Sequence, residues 1–377
     1  MQLLYLFEKI RNPVLDAIFS FITLFGEETA FLAIAILFFW CVNKRHGYFI
    51  MITGFIGTIV NQIMKLAFKV PRPWDIDKSF TIVESAREGA TGYSFPSGHT
   101  QSAVGTFGAV FAKVSNKIIK WGAFAIAVLV PISRMYLGVH TPWDVLAAAS
   151  IAVMLLVVLE PIFSDEKKFD KCMPFIIGFV TLLEIGFFLF AVVFSGNSAD
   201  VNVVSAGKNA RTFLGCTLAL IPVYFLERKF VKFETRAKWY SQIIKLVLGL
   251  GFVILIKEGL RYPLELMLGG ANERILRYFL IVIFAGLIWP LTFKWFSVLE
   301  IPMLDRFGAW VVSPFSKKKN EGDTENSSAA EEKPVKKVNP ARINNEEKKP
   351  FRWFWQKKKP DEKKRRSRKK KKPGKRR

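Results

Sequence analysis

The stretch PWDVLAAASIAVMLLVVLEPIF, Pro142–Phe163, decides the fold class of this chain. It has 22 residues, and Asp144 and Glu160 are its only charged ones. At a rise of about 1.5 Å per residue, a helix of this length crosses the hydrocarbon core of a bilayer, which is about 30 Å thick. Because 51% of all residues are apolar and such runs recur along the chain, we predict a multispanning membrane protein.

Nine apolar runs, separated by short charged connectors, predict an all-α fold, a polytopic bundle of transmembrane helices. Residues 1–27 are predicted as an interfacial helix and not as a further span, because charged residues such as Glu8 and Arg11 interrupt their apolar sequence. The predicted spans are Thr29–Cys41, Gly47–Phe68, Pro96–Val114, Ile118–Leu137, Pro142–Phe163, Met173–Phe194, Ala206–Leu226, Tyr240–Ile256 and Ile275–Phe296.

Lysine and arginine are concentrated on alternate connectors between the predicted spans, and this pattern predicts the orientation of the chain in the membrane. The remaining connectors, among them the long connector Lys69–Phe95, are mixed or acidic. Since basic connectors stay in the cytoplasm, we predict that these connectors and the C-terminal tail on the same side are cytoplasmic. The expected location is the plasma membrane. The basic connectors are NKRHG (43–47), KVSNKIIK (113–120), SDEKKFDK (164–171) and ERKFVKFETRAK (227–238).

The C-terminal segment 316–377 differs sharply in composition from the rest. It holds 25 Lys and Arg residues against 9 Asp and Glu residues, a difference of 16 within the net charge of +24. Such a segment cannot bury enough apolar surface to fold, so we predict a disordered tail. It is either a solvated tail or, through FRWFWQKKK (Phe351–Lys359), attached to an anionic leaflet. No feature of it reads bases, so a specific nucleic-acid partner is not expected.

Cysteines and glycine loops give no sign of a metal or cofactor. The three cysteines lie in or beside apolar segments without metal-ligand spacing, and we interpret them as buried thiols. No phosphate-cradling loop of the nucleotide-binding types is present. We therefore expect no cofactor.

Three polar clusters lie where predicted spans meet the outer boundary of the membrane. They contain two of the three histidines in the chain. Because ionisable residues are costly inside a membrane, their concentration at one depth indicates a functional site. The clusters are KLAFKVPRP (Lys65–Pro73), PSGH (Pro96–His99) and SRMYLGVHTPWD (Ser133–Asp144).

The second cluster is typical of a helix start that binds an anion. Pro96 suits the first helical position, which would place Ser97, Gly98 and His99 in the first turn, at the positive end of the helix dipole. Gly98 has no side chain, so an anion can approach the backbone N–H groups closely. The alternative interpretation is an ordinary helix start that binds no anion.

Three cations accompany this helix start. Lys65 and Arg72 lie near the exit of the second span, and Arg134 lies near the exit of the fourth. Together with the helix N-terminus they would form a cage for a tetrahedral oxyanion, such as a phosphoryl group. Taken singly, Lys65 is also explained as a lysine that snorkels to the interface.

The two histidines of these clusters can act as a nucleophile and an acid. Histidine can attack phosphorus, and its near-neutral pKa lets a second histidine protonate the leaving group. Asp144, four residues after His140, can orient the attacking ring. The sequence TPWD (Thr141–Asp144) also fits a helix capping box, and both interpretations stay open.

The three clusters together resemble a family signature. Lys65 with six residues before Arg72-Pro73, then Pro96 to His99, then Ser133-Arg134 followed by His140 and Asp144, is similar to the signature of the type 2 phosphatidic acid phosphatase and vanadium haloperoxidase superfamily. The resemblance implies a metal-independent phosphatase in which His140 is the nucleophile, Asp144 orients it and His99 protonates the leaving group. It further implies phosphoryl binding by Lys65, Arg72, Ser97, Gly98 and Arg134.

The resemblance also implies a domain organisation and a function. It implies a six-helix phosphatase core at 28–195, which leaves about three additional spans at 196–300. The expected function is hydrolysis of a lipid phosphate or diphosphate at the outer face of the membrane. Undecaprenyl diphosphate, phosphatidylglycerophosphate and phosphatidate are the candidate substrates, and sphingoid phosphates are less favoured. The motifs do not separate them. One alternative is phosphoryl transfer to an acceptor other than water. Another is a non-catalytic transporter or scaffold with the same fold.

Overall fold

The computed structural model describes residues 1–194 and 200–305. All regular secondary structure within these two ranges is helical, as predicted. The predicted tail 316–377 lies outside the described residues. The helices are α1 (Gln2–Lys9), α2 (Pro13–Thr23), α3 (Glu28–Leu37), α4 (Lys44–Phe68), α5 (Pro73–Ile76), α6 (Gly98–Lys113), α7 (Lys117–Tyr136), α8 (Pro142–Ser164), α9 (Glu166–Phe188), α10 (Val201–Leu226), α11 (Trp239–Gly259), α12 (Arg261–Leu268), α13 (Glu273–Ile283) and α14 (Phe293–Val298).

Within the described residues, fewer helical segments than the predicted nine are by themselves long and apolar enough to cross a membrane. Six helical segments of the described chain are long and apolar enough to cross a membrane, and a bent pair of segments, Pro13–Gly26 and Glu28–Val42, can be counted as a seventh. The predicted spans Pro96–Val114 and Tyr240–Ile256 correspond to α6 and α11, which are not among the six. With 16 residues, α6 is about 24 Å long, shorter than the hydrocarbon core, but it runs alongside the full-length α7 from the end of the bundle that carries the polar clusters. The six segments are Lys44–Ile76, Lys117–Tyr136, Pro142–Ser164, Glu166–Val192, Val201–Val231 and Gly270–Val298.

The N-terminal segment is two helices and not the single interfacial helix predicted for residues 1–27. The chain turns after α1, and Asn12 caps α2 by accepting hydrogen bonds from the N–H groups of Val14 and Leu15 (both 3.1 Å). A short 3₁₀ turn, Leu24–Gly26, then leads into α3 at an angle of 53° between the two segments. This bend brings the end of α2 next to α6 and α7.

Helix α4 lies at the centre of the first half of the chain. It packs against α3, α6, α8 and α9, and large side chains such as Phe49 and Phe55 are fully buried along it. Helix α6 packs between α4, α7 and α8. Consequently the C-terminal ends of α4 and α7 and the N-terminal ends of α6 and α8, which carry the polar clusters, meet at one end of the bundle.

The C-terminal half forms a second group of helices around α10. Helix α10 packs against α9 and α13, while α11 contacts α12, α13 and α14. Two buried charges of these helices do not pair with each other. Lys245 donates to the carbonyl of Trp40 (2.9 Å), and neither carboxylate oxygen of Glu184 has a hydrogen-bond partner among the described residues.

Candidate active site

The eight residues predicted for the site lie at the end of the bundle where four helices meet. Lys65 is in the last turn of α4, Arg72 precedes α5, and Arg134 is in the last turn of α7. The loop after α7 carries His140, and the first turns of α6 and α8 carry the remaining residues. The structure therefore brings together three segments that are separated along the chain.

Arg72 contacts the ring of His140 and determines its tautomer. The Nη1 atom of Arg72 lies 3.0 Å from Nε2 of His140, and both side chains are buried. Because a guanidinium can only donate hydrogen bonds, Nε2 must accept, and the ring proton must be on Nδ1. In this tautomer Nε2 carries the free electron pair that a nucleophile needs.

On the other side of the ring, Ser94 lies between His140 and Asp144. Its Oγ is 3.4 Å from His140 Nδ1 and donates to Asp144 Oδ2 (2.7 Å). The direct distance from Nδ1 to Oδ2 is 3.6 Å, which is longer than an ordinary hydrogen bond. The ring is therefore oriented by a hydroxyl and a carboxylate together. Sequence analysis did not identify Ser94, which stands two residues before Pro96 and belongs to no motif.

Asp144 takes part in the capping box and also faces the ring of His140. It accepts a hydrogen bond from the N–H of Thr141 (2.7 Å) while its own N–H donates to the Thr141 hydroxyl (3.4 Å), which is a capping box at the start of α8. The same oxygen, Oδ2, faces His140. The helix start thus fixes the carboxylate in the place from which it orients the ring.

Arg72 is held by the backbone on three sides. It donates to the carbonyls of Gly92 (3.2 Å), Val139 (2.9 Å) and Thr91 (2.8 Å), and its side chain is buried. These carbonyls orient the guanidinium without neutralising it. The positive charge beside His140 therefore remains available to a phosphoryl group.

The other two cations are also held by neutral acceptors. Lys65 donates to the carbonyl of Tyr93, and Arg134 Nη1 donates to the hydroxyl of Thr23 (2.9 Å). In the described part of the chain, none of the three cations forms an ion pair with a carboxylate. Within the same residues, Nε and Nη2 of the buried Arg134 have no hydrogen-bond partner. Two aligned, unsatisfied donors on a buried guanidinium match two oxygens of a phosphate.

The start of α6 differs from the prediction in one respect. Ser97 is the N-cap, with its Oγ accepting from the N–H of Thr100 (3.4 Å), so the helix begins at Gly98 and Pro96 precedes it. The prediction that Pro96 occupies the first helical position was wrong because a serine competes for the cap. Gly98 remains in the first turn, and a Cβ added there would meet only Asn61 Oδ1, at 4.0 Å. The space beside the first backbone N–H groups is therefore open to an anion.

The electrostatic environment favours a neutral His140. Burial, followed by the nearby positive charges of Arg72 and Arg134, lowers the pKa of His140 well below its ordinary value of about 6.5. His99 is close enough to add to this effect. An imidazole that stays unprotonated near neutral pH is competent to attack phosphorus.

Comparison with known proteins gives two family matches. A sequence model of the PAP2 superfamily matches residues 45–168, which include all eight predicted site residues. A second model, described as the transmembrane extension of PAP2 superfamily phosphatases, matches residues 211–300.

Several curated proteins are similar to part of this chain. Undecaprenyl-diphosphatase BcrC of Bacillus subtilis is 31% identical over 147 residues, which are 38% of this chain and 73% of the relative. Phosphatidylglycerophosphatase B of the same organism is 27% identical over 175 residues, 43% of this chain and 82% of the relative. An undecaprenyl-diphosphatase of Sulfolobus acidocaldarius is 28% identical, over 39% of this chain and 70% of the relative. No solved structure matches the chain significantly.

Proposed function

We propose that this chain, which belongs to the PAP2 superfamily, hydrolyses a lipid phosphate or diphosphate through a phosphohistidine on His140 at the outer face of the membrane. The family match and the apolar helices make it an integral-membrane phosphatase that acts on lipids. The covalent intermediate, the side of the membrane and the individual roles of the residues are the finer part of the proposal. The observation that carries it is the pair of contacts on His140, Arg72 at Nε2 and the Ser94–Asp144 pair at Nδ1.

In the first step, Nε2 of His140 attacks the terminal phosphorus and forms an N–P bond while the bond from phosphorus to the leaving oxygen breaks. The leaving alkoxide or phosphate takes a proton from protonated His99. Burial and the neighbouring cations lower the pKa of His99, and the negative charge of the bound phosphate opposes this shift. The imidazole becomes positively charged at Nδ1, where Asp144 stabilises it. Arg72 gives up its contact with Nε2 and donates to a phosphoryl oxygen, and the free donors of Arg134 take the others.

In the second step, water attacks the phosphohistidine. His99, now neutral, accepts a proton from this water, the N–P bond breaks, and inorganic phosphate leaves. His140 returns to its neutral form, so the cycle closes without a further reactant.

Phosphate release from a panel of lipids tests this function. Detergent-purified protein is given an isoprenoid diphosphate, a phosphatidylglycerophosphate, a phosphatidate and a sphingoid phosphate, each with excess chelator. We expect release of inorganic phosphate from at least one of them, and the relative kcat/KM values rank the substrates. Folded protein that releases phosphate from none of them contradicts the proposal and favours transfer to another acceptor.

The pH dependence of kcat/KM tests the electrostatic environment of the nucleophile. Because the pKa of His140 is lowered, its imidazole stays neutral as the pH falls through 6.5. It becomes protonated only when the pH falls below that lowered pKa. We therefore expect the acidic limb that belongs to the enzyme to lie below about pH 6.5. The second ionisation of a substrate phosphate, near about pH 6, is measured separately by phosphorus NMR and divided out. If the acidic limb that belongs to the enzyme lies at or above about pH 6.5, the result would contradict the burial of a neutral nucleophile.

The side of the membrane is tested by labelling. Glu88 is exposed in the connector that follows α5, which we place outside, whereas Cys172 near the start of α9 is placed in the cytoplasm. In intact cells, an impermeant thiol reagent is expected to label Glu88→Cys, and to label Cys172 only after permeabilisation. The reverse pattern would place the site on the cytoplasmic side. The cytoplasmic tail 316–377 and its attachment to anionic lipid stay predictions.

A further inference from the structure

The end of α2 touches two residues of the site, although it precedes the matched region 45–168. The hydroxyl of Thr23 accepts the hydrogen bond of Arg134 Nη1 at 2.9 Å. Three residues later, a Cβ added to Gly26 would lie 2.9 Å from the carbonyl oxygen of His99 and 2.8 Å from Cγ1 of Val130. The turn that contains Thr23 and Gly26 is therefore wedged between the start of α6 and the last turns of α7.

Among the residues that the structure describes, Thr23 is the one that accepts a hydrogen bond from the Arg134 guanidinium. Thr23 and Arg134 are both buried, and the other two donor groups of the guanidinium have no protein partner within the described residues. A hydroxyl fixes one edge of the guanidinium by a hydrogen bond and leaves its charge intact. A carboxylate at the same place would pair with the cation and weaken its attraction for a phosphate.

The position of Thr23 is supported by contacts of Tyr136 with α2 and with Arg11, which lies just before it. Tyr136, two residues after Arg134, donates to Asp16 (2.7 Å) and stacks on Phe19 with ring centroids 4.2 Å apart. Arg11 donates to the carbonyl of the same tyrosine (3.0 Å). Thus α2 and Arg11 are both attached to Tyr136, two residues after the arginine that Thr23 contacts.

The connector between α5 and α6 is attached to α1. Tyr5 donates to Asp77, and Glu8 accepts from the N–H of Thr81 (2.8 Å). This connector also supplies the carbonyls of Thr91 and Gly92 that hold Arg72. The N-terminal helices therefore lie against both arginine-bearing parts of the site.

We infer that Thr23 is a positioning residue for Arg134, so that the N-terminal segment completes the phosphate site from outside the matched region. The inference rests on the proposed function, because it assigns to Arg134 the task of binding phosphoryl oxygens. In this arrangement Thr23 does not touch the substrate. It keeps Nε and Nη2 of Arg134 directed toward the bound phosphate.

Replacement of Thr23 by valine removes the acceptor and nearly preserves the volume. We expect kcat/KM to fall by about 10- to 100-fold, as for other small misplacements of a binding group, and the inhibition constant for inorganic phosphate to rise about tenfold or more. Thr23→Ser keeps the hydroxyl and is expected to retain both values within about threefold. Thr212→Val is the matched control, because its hydroxyl donates to the carbonyl of Lys208 (3.1 Å) on α10, a helix that carries none of the eight site residues.

The inhibition constant separates positioning from folding. A purely structural role would reduce the active fraction, which lowers kcat but leaves the phosphate inhibition constant unchanged. If Thr23→Val does not fold, Thr23→Ala gives the same comparison with a smaller side chain. Equal phosphate affinity in wild type and the valine or alanine variant, or equal losses in the serine and valine variants, would overturn the inference.

The failure of the proposed function would look different. If wild-type protein hydrolyses no lipid in the panel, the function fails, and the affinity for inorganic phosphate is then measured by calorimetry on the same variants. A weaker affinity in Thr23→Val alone still supports the inference about Arg134. An unchanged affinity overturns it.

Discussion

His140→Ala is expected to release inorganic phosphate at least about 10³-fold more slowly than wild type on every lipid that the enzyme accepts. The variant removes the atom that forms the N–P bond, and the described site offers no second nucleophile in contact with Arg72. The measurement is phosphate release under single-turnover conditions, together with acid-quenched detection of protein-bound phosphate. His46→Ala is the matched control, since His46 lies at the opposite end of α4 and is expected to leave both readouts unchanged.

His99→Ala should differ from His140→Ala in its dependence on the leaving group. An alkoxide leaves poorly without a proton, whereas the phosphate that leaves from a diphosphate is a much weaker base. The loss in His99→Ala is therefore expected to be larger for phosphatidate than for an isoprenoid diphosphate, while the loss in His140→Ala is the same for both. Retention of more than about a tenth of the wild-type rate in His140→Ala would rule out the phosphohistidine.

Local sequence determines most of the helix starts that form the site. Thr141 and Asp144 make the capping box that TPWD indicates, and Asn43 caps α4 with its side chain. These signals span three or four residues, so they can be identified in the sequence alone. The helices that carry the three clusters and the all-α fold class were predicted from their apolar runs, which are equally local.

Contacts between distant segments were not predictable in the same way. Thr23 and Arg134 are 111 residues apart, and Ser94 and Asp144 are 50 apart, with no spacing rule that joins them. The bend after α2 depends on packing against α6 and α7, which hydropathy does not describe. Hydropathy also overestimated the length of α6, because it does not detect that Ser97 caps the helix after Pro96. Local sequence thus identifies the residues of the candidate site more readily than the contacts that position them.

Asp144→Asn separates the two roles of Asp144. Thr141 N–H, Ser94 Oγ and His140 Nδ1 all approach the same oxygen, Oδ2. The carbonyl oxygen of asparagine can take this place, so the cap and the tautomer of His140 are preserved while the negative charge is lost. We expect kcat to fall about 10²-fold, less than the roughly 10⁴-fold loss known for a triad in which the tautomer is wrong. The thermal unfolding midpoint in detergent is expected to stay at the wild-type value.

Two further variants complete the comparison. Asp144→Ala removes the charge and the acceptor of the Thr141 N–H, which is the side-chain half of the capping box, so it should also lower the stability of the protein by about 1–3 kcal/mol. Ser94→Ala keeps the carboxylate and removes the hydroxyl between it and the ring, and we expect a loss of kcat of about tenfold. If Asp144→Asn is as active as wild type while Asp144→Ala is unstable, the carboxylate serves the helix start alone. A loss of kcat in the asparagine variant at unchanged stability means instead that its charge stabilises the imidazolium formed when His140 attacks.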